Sequence, residues 1–231
     1  MRKLILDCGG VLVYPRLGEW TLPFGMAKIL GPERARDLHT SKYLLAHRQC
    51  AQWLDESRPM RGVEDERRVR REYIRAMDVR MDWHMTADEI ERLTDDFTDN
   101  IQRYGFFDDI KPWLKTWKDR GLGLGILSDA MPSIKVFMKQ YGILDYFDAA
   151  VISTEVGAIK PDPKMYGAIL QALGADARDC LFADDKPENL EGALAAGMRA
   201  VQMARAETLP RVIWDGPVAR NFKELDRFIG A

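Results

Sequence analysis

From about Phe107 onward the chain alternates short apolar runs with helix-like segments, a pattern that confines it to βα units around a parallel sheet. The apolar runs are Gly123–Leu127, Ala149–Ile152, Cys180–Ala183 and Arg199–Met203. Helical segments fall at Pro132–Tyr141, Asp162–Leu173 and Pro187–Ala196, with a last helix at Asn221–Ile229. Pro132 and Pro187 suit first helical turns, and Gly142, Gly174 and Gly197 stand where helix ends take glycine. One more apolar run, Lys3–Leu6, lies far upstream and belongs to the same sheet. Whatever separates it from Phe107 is therefore an insertion after the first strand.

That insertion, from about Leu17 to Tyr104, carries helical periodicity, many charges and almost no strand signal. Val69, Tyr73, Ala76 and Met77 recur at three- and four-residue intervals among Glu66, Arg67, Arg70, Arg71 and Glu72, as on an amphipathic helix with a solvated face. Thr86 and Glu89 have the spacing of a capping box that opens the next helix. Pro59 and Gly62 break the block between helices. The cluster Arg67-Arg68-Arg70-Arg71 is interleaved with Glu64, Asp65, Glu66 and Glu72, which favours a salt-bridged face over a polyanion site.

Composition narrows the function classes. The 231 residues are 46% hydrophobic and 30% charged, as in an ordinary globular protein, and suffice for one core plus an insertion. A net charge of -2 gives no electrostatic reason to expect nucleic acid. Three scattered cysteines, Cys8, Cys50 and Cys180, make neither a disulfide framework nor a zinc site. No apolar stretch approaches the roughly 20 residues of a membrane span. The first apolar run, too short for a secretion signal, stops at Asp7. A cytoplasmic location, away from membranes, is expected.

The chemistry gathers at strand ends, where open α/β sheets bind ligands. Asp7 ends the first run and is followed by Cys8-Gly9-Gly10. A carboxylate there can attack phosphorus or hold Mg²⁺. Ser128-Asp129 ends a second run; its hydroxyl and turn amides suit a phosphoryl oxygen, and the same pair can equally start the helix at Pro132. Lys160 is pinned in a stiff loop between Gly157 and Pro161-Asp162-Pro163. Asp184-Asp185 ends a third run. Adjacent carboxylates repel unless a cation intervenes, which makes a hard metal natural. Cys8 has no histidine nearby in sequence and reads as a buried structural thiol.

This ordered set resembles the haloacid dehalogenase-like hydrolases, mostly aspartate-nucleophile phosphatases. Gly157-Ala158-Ile159-Lys160-Pro161 is similar to that family's Gly-x-x-Lys-Pro signature, and Asp185-Lys186-Pro187-Glu188-Asn189 to its fourth motif. The resemblance implies a Rossmann-like α/β core, 1–15 and 106–231, with an all-α cap domain at 16–105. It implies Mg²⁺-dependent hydrolysis of a small phosphomonoester through an aspartyl-phosphate on Asp7. Ser128 and Lys160 would grip the phosphoryl group. Asp7, the Gly9 carbonyl and Asp185 would hold the metal, with Asn189 in support. Asp129 stands where the family often has Asn. Substrate contacts are sought in the hinge and early cap, at Tyr14, Arg16, Trp20, Arg48 and Trp53, although core packing and surface pairing explain these five equally well. The substrate itself is set by the cap's shape, and oligomeric state is left open.

One position departs from the pattern. The family usually has a second aspartate where this chain has Gly9, and that residue protonates the leaving group and then activates water. Three readings follow. The chain is a phosphatase in which water, a cap residue or an acidic leaving group replaces the missing acid; or a non-catalytic phosphate and metal binder; or a dehalogenase, whose branch also lacks the second aspartate.

Overall fold

The computed structural model describes residues 2–18, 20, 22, 24–56, 58–206 and 213–230. Residues 1 and 231, the ends of the expected core, lie outside them. In chain order the elements are β1 (Lys3–Leu6), β2 (Val13–Pro15), α1 (Met26–Ala35), α2 (Ser41–Cys50), α3 (Val63–Met81) and α4 (Ala87–Thr98). There follow β3 (Tyr104–Phe106), α5 (Ile110–Asp119), β4 (Gly123–Ser128), α6 (Ser133–Gln140), β5 (Ala149–Ile152) and the single turn α7 (Ser153–Val156). The last are α8 (Pro163–Leu173), β6 (Cys180–Asp184), α9 (Pro187–Ala195), β7 (Arg199–Met203), β8 (Val218–Ala219) and α10 (Phe222–Ile229).

Six strands form a parallel sheet in the order β5-β4-β1-β6-β7-β8. β1 is central because its side chains are apolar on both sides and both faces are covered. Leu4 and Leu6 join a cluster with Leu114 and Trp117 of α5, Ile134 and Phe137 of α6, and Phe222 of α10. Ile5 points the other way, among Met165 and Ile169 of α8 and Leu190 of α9. Leu6 pairs with Ile126 on one side and Ala183 on the other. The carboxyl ends of β4, β1 and β6 therefore lie side by side, at the point where the chain runs outward in both directions. The four helices and five strands expected in the sheet domain follow the sequence pattern within a residue or two; α5, the single turn α7 and the two-residue β8 were not among the expected elements.

Between β2 and β3 the chain is helical. α3 begins with Glu64, Asp65 and Glu66, the charge that a helix amino terminus favours. α4 opens on the expected capping box, with Thr86 accepting from Glu89 N and Glu89 from Thr86 N. Tyr73, Met77, Met81, Leu93 and Phe97 close a cluster of their own with Met26, Leu30, Tyr43 and Cys50. The arginine run is salt-bridged as expected at three positions: Arg67 to Asp95 and Asp99, Arg68 to Asp65, and Arg71 to Glu91. Arg70 differs; it is buried against the Phe97 ring and paired with the fully buried Glu66.

At the two ends of this stretch lies a feature the sequence pattern did not show. β2 and β3 form an antiparallel ribbon, Tyr14 opposite Gly105, through which both chain crossings pass. Three residues are too few for a period-two pattern to show. Tyr14 lies so close over Gly105 that an added Cβ would come within 2.3 Å of its ring, so only glycine fits there. Among the described residues no helix is long and apolar enough to cross a membrane.

Candidate active site

A cavity of about 300 Å³ opens at the carboxyl ends of β1, β4 and β6, roofed by the helical segment. Asp7, Gly9, Ser128, Asp129, Lys160 and Asp185 all line it. Four separated stretches of sequence converge here: three because neighbouring strands end together, and the fourth, around Lys160, as the loop between α7 and α8.

Lys160 is the centre of the arrangement. Its Nζ donates to Asp7 Oδ1 at 2.8 Å, to Asp184 Oδ2 at 2.6 Å and to the Leu127 carbonyl at 3.2 Å. All three ammonium protons are used. The loop is held by Gly157, whose φ of 75° ends α7 in the left-handed region, and by Asp129 Oδ1, which accepts from Lys160 N at 2.9 Å. Asp129, the departure from the family pattern, thus positions the lysine. Burial works against the ammonium, but the charges of Asp184, Asp7 and Asp129 outweigh it and hold its pKa well above the ordinary lysine value.

The adjacent pair Asp184-Asp185 is divided in role. Asp184 is fully buried and accepts from Lys160, from Lys186 N at 2.8 Å and from Asn189 Nδ2 at 3.0 Å. Asp185 faces the cavity. Gly10 passes directly beneath it: φ there is +69°, and a Cβ would come within 2.9 Å of Asp185 Oδ2. A side chain at that turn would have to displace the Asp185 carboxylate and hold a strained backbone.

The carboxylates lack positive charge. Burial pushes Asp7 up to about 6 against the pull of Lys160. Burial, then the charges of Asp7 and Asp184, push Asp185 up to about 8. Asp7, Asp184 and Asp185 each offer an oxygen within 4.8 Å of the others. One ammonium serves two of these three groups, so a small divalent cation with oxygen preference fits the deficit. Asp7 and Asp185 are the members that line the cavity. Cys8 is inert, its thiol pushed up to about 12 by burial and by Asp7, with Sγ donating to Met138 Sδ.

The remaining candidates separate. Trp20 lines the cavity, and a Cβ built on Gly9 would touch its indole at 3.4 Å. The ring thus borders the space that an aspartate side chain at position 9 would enter. Arg16 and Arg48 are exposed and do not line the cavity; Arg16 donates to the Tyr104 carbonyl. Tyr14 packs on Phe107, and Trp53 on the apolar clusters of the helical segment.

The sequence reading passed over three residues. Arg70 and Glu56 line the cavity, and Glu66 fixes Arg70 from behind. Glu66 and Arg70 lie one helical turn apart on the stripe that continues through Tyr73 and Met77, so their spacing was a signal. Glu56 sits in an irregular loop that carries no such pattern.

A family described as haloacid dehalogenase-like hydrolase matches residues 2–197. A phosphatase from Mycobacterium tuberculosis is 37% identical over 121 residues, which are 52% of this chain and 54% of that protein. Phosphoserine phosphatase from Thermus thermophilus is 30% identical over 115 residues, 49% of this chain and 46% of its own. The chain thus spans about half the length of these curated relatives. Among solved structures, a phosphatase of the family from Thermococcus onnurineus superposes with a TM-score of 0.65 at 22% identity, over 100% of this chain and 98% of that one. A 2-haloacid dehalogenase from Pseudomonas syringae superposes equally well, with 0.67 at 21% identity over 100% and 99%. These last two likenesses speak to the fold alone. On the extent of the family match, with the fold in agreement, the chain belongs to the haloacid dehalogenase-like hydrolases.

Proposed function

We propose that the chain is a Mg²⁺-dependent phosphatase that hydrolyses a small phosphomonoester through an aspartyl-phosphate on Asp7. The observation that carries this reading is the Lys160 ammonium, 2.8 Å from Asp7 and 2.6 Å from Asp184, on the floor of a cavity that Asp185 also lines. Phosphatases among the relatives support it.

With a pKa of about 6, Asp7 is mostly carboxylate at neutral pH and free to attack phosphorus. Lys160 keeps its proton and lies against Asp7, where it orients the attacking oxygen and offsets charge on the phosphoryl group. The Ser128 hydroxyl at the end of β4 donates to a phosphoryl oxygen. Asp7, the Gly9 carbonyl and Asp185 would hold Mg²⁺, with Asn189 braced behind through Asp184. When bound, the ion neutralises the phosphoryl oxygens. Residues 16–105 act as a cap that excludes water from a core made of 1–15 and 106–231. The three free, buried cysteines suit a reducing compartment such as the cytoplasm.

The test is phosphate release from a panel of metabolite monoesters, sugar 1-phosphates included, with Mg²⁺ or with EDTA, beside Asp7→Asn. Release that needs both the metal and Asp7 is expected. Release no greater than the Asp7→Asn background would leave a binding protein, and halide release from a 2-haloacid would make it a dehalogenase.

A further inference from the structure

A phosphatase with glycine at position 9 needs another group to move the leaving-group proton. We propose that Glu56 is that group: it donates a proton to the departing alkoxide and then takes one from the attacking water. The inference rests on the phosphatase reading above.

Glu56, from the helical segment, lines the same cavity as Asp7, Ser128 and Lys160 of the core. Its loop is fastened to the core. Four residues on, Met60 N donates to the Thr154 carbonyl at 2.8 Å, and the Met60 side chain packs between Val69 and Met131. Among the described residues the Glu56 carboxylate has no hydrogen bond or ion pair, unlike Asp7, Asp129, Asp184 and Glu66, which are all engaged. A half-buried carboxyl without a structural partner, lining the cavity that holds Asp7, is free to exchange a proton.

Its surroundings suit the task. Burial, with the charge of Asp129, pushes Glu56 up to about 7, against the pull of Arg70 and Lys186; Asp7 adds to the rise. Toward the outside, His47 of α2, Asp55 and Glu188 border an adjoining cleft that Glu56 also lines. A carboxyl with a pKa near neutrality is the strongest general acid and base at that pH. The other acids of the cavity are committed. Asp129 holds the Lys160 amide, and Asp185 lies against the Gly10 turn.

In the first step an Asp7 oxygen bonds to phosphorus and the bond from phosphorus to the ester oxygen breaks. The electron pair stays on that oxygen, which takes the Glu56 proton and leaves as alcohol. In the second step the Glu56 carboxylate accepts a proton from water, whose oxygen bonds to phosphorus. The bond from phosphorus to Asp7 breaks, phosphate departs, and Asp7 and the protonated Glu56 are restored.

The test compares wild type, Glu56→Gln and Asp7→Asn on p-nitrophenyl phosphate and on glycerol phosphate, with Mg²⁺. Thermal unfolding checks that the variants are folded. For Glu56→Gln, glycerol phosphate turnover should fall about 10²–10⁴-fold, and the limb of the wild-type pH profile near 7 should vanish. The aryl ester, which needs no proton on leaving, should still give one rapid equivalent of nitrophenolate, followed by slow turnover and phosphorylated Asp7 in the intact mass. Glu56→Asp should restore part of the alkyl activity. An equal fall on both esters without a burst, or no fall on either, overturns the assignment while leaving the phosphatase reading intact. Wild-type release no greater than that of Asp7→Asn overturns both.

Discussion

Glu66, on α3, caps a helix to which it does not belong: its Oε2 accepts from Ser133 N at 2.7 Å and its Oε1 from the Ser133 hydroxyl at 2.9 Å. The carboxylate is wholly buried, and Oε1 also accepts from Arg70 Nε at 3.3 Å. One glutamate thus fastens the helical segment to the first turn of α6 and aims an arginine into the cavity. Negative charge at a helix amino terminus is favourable in itself.

Glu66→Ala would strand both the Ser133 amide and a buried guanidinium. Losing one member of a buried pair costs about 3–5 kcal/mol, so the urea midpoint should fall steeply. Glu66→Gln, which keeps an acceptor for Ser133, should cost less. Equal losses would show that the charge is unused.

Lys160→Met removes the ammonium that serves Asp7 and Asp184. The folded pKa of Asp7, already raised by burial, would then rise further above the unfolded one. A carboxyl raised in this way binds more protons folded than unfolded, so stability is present at low pH and lost as pH rises. The variant should be destabilised by about 3–5 kcal/mol near pH 7 and recover toward pH 5. Melting curves at the two pH values check this; a loss independent of pH would contradict it.

On the proposed Mg²⁺ site, the ion would displace the proton that Asp185 holds with a pKa of about 8. Apparent affinity should rise about tenfold per pH unit between about 6 and 8 and then level off. Titration calorimetry in buffers of different ionisation heat should register one proton released at the lower pH. Asp185→Asn should remove the slope; a flat profile in the wild type would place the metal elsewhere.

Gly10→Ala should weaken Mg²⁺ binding and stability together. The left-handed backbone alone costs about 1–2 kcal/mol. The new methyl would also press on Asp185 Oδ2 from 2.9 Å. A variant with unchanged metal affinity would show that this turn yields freely.

Arg16→Ala and Arg48→Ala should leave kcat/KM within about twofold, the range of ordinary surface substitutions. A tenfold fall in either would bring that arginine to the substrate.

What the sequence disclosed was what regular structure places. Asp7, Ser128 and Asp185 were legible because strand ends are readable from apolar runs, and parallel strands bring those ends together; Lys160, in the loop before α8, was legible from its glycine and prolines. The helical segment was legible as helices, down to the Thr86–Glu89 box. Its contribution to the cavity was not. Glu66 and Arg70 carry charges that suggest a solvated face, and only a partner on α6, remote in sequence, makes their burial tolerable. Glu56 lies in an irregular segment, and no periodicity reports where such a segment runs. The β2–β3 ribbon was too short to register.

Trp20 borders the space above Gly9, its ring 3.4 Å from where a Cβ would stand. The two positions are consequently not independent. A carboxylate introduced at 9 meets either the indole or, 3.9 Å from the new Cβ, the Asp7 carboxylate. These are ordinary contact distances, so a side chain at 9 would pack against the indole rather than displace it, and the two positions together shape that corner of the cavity.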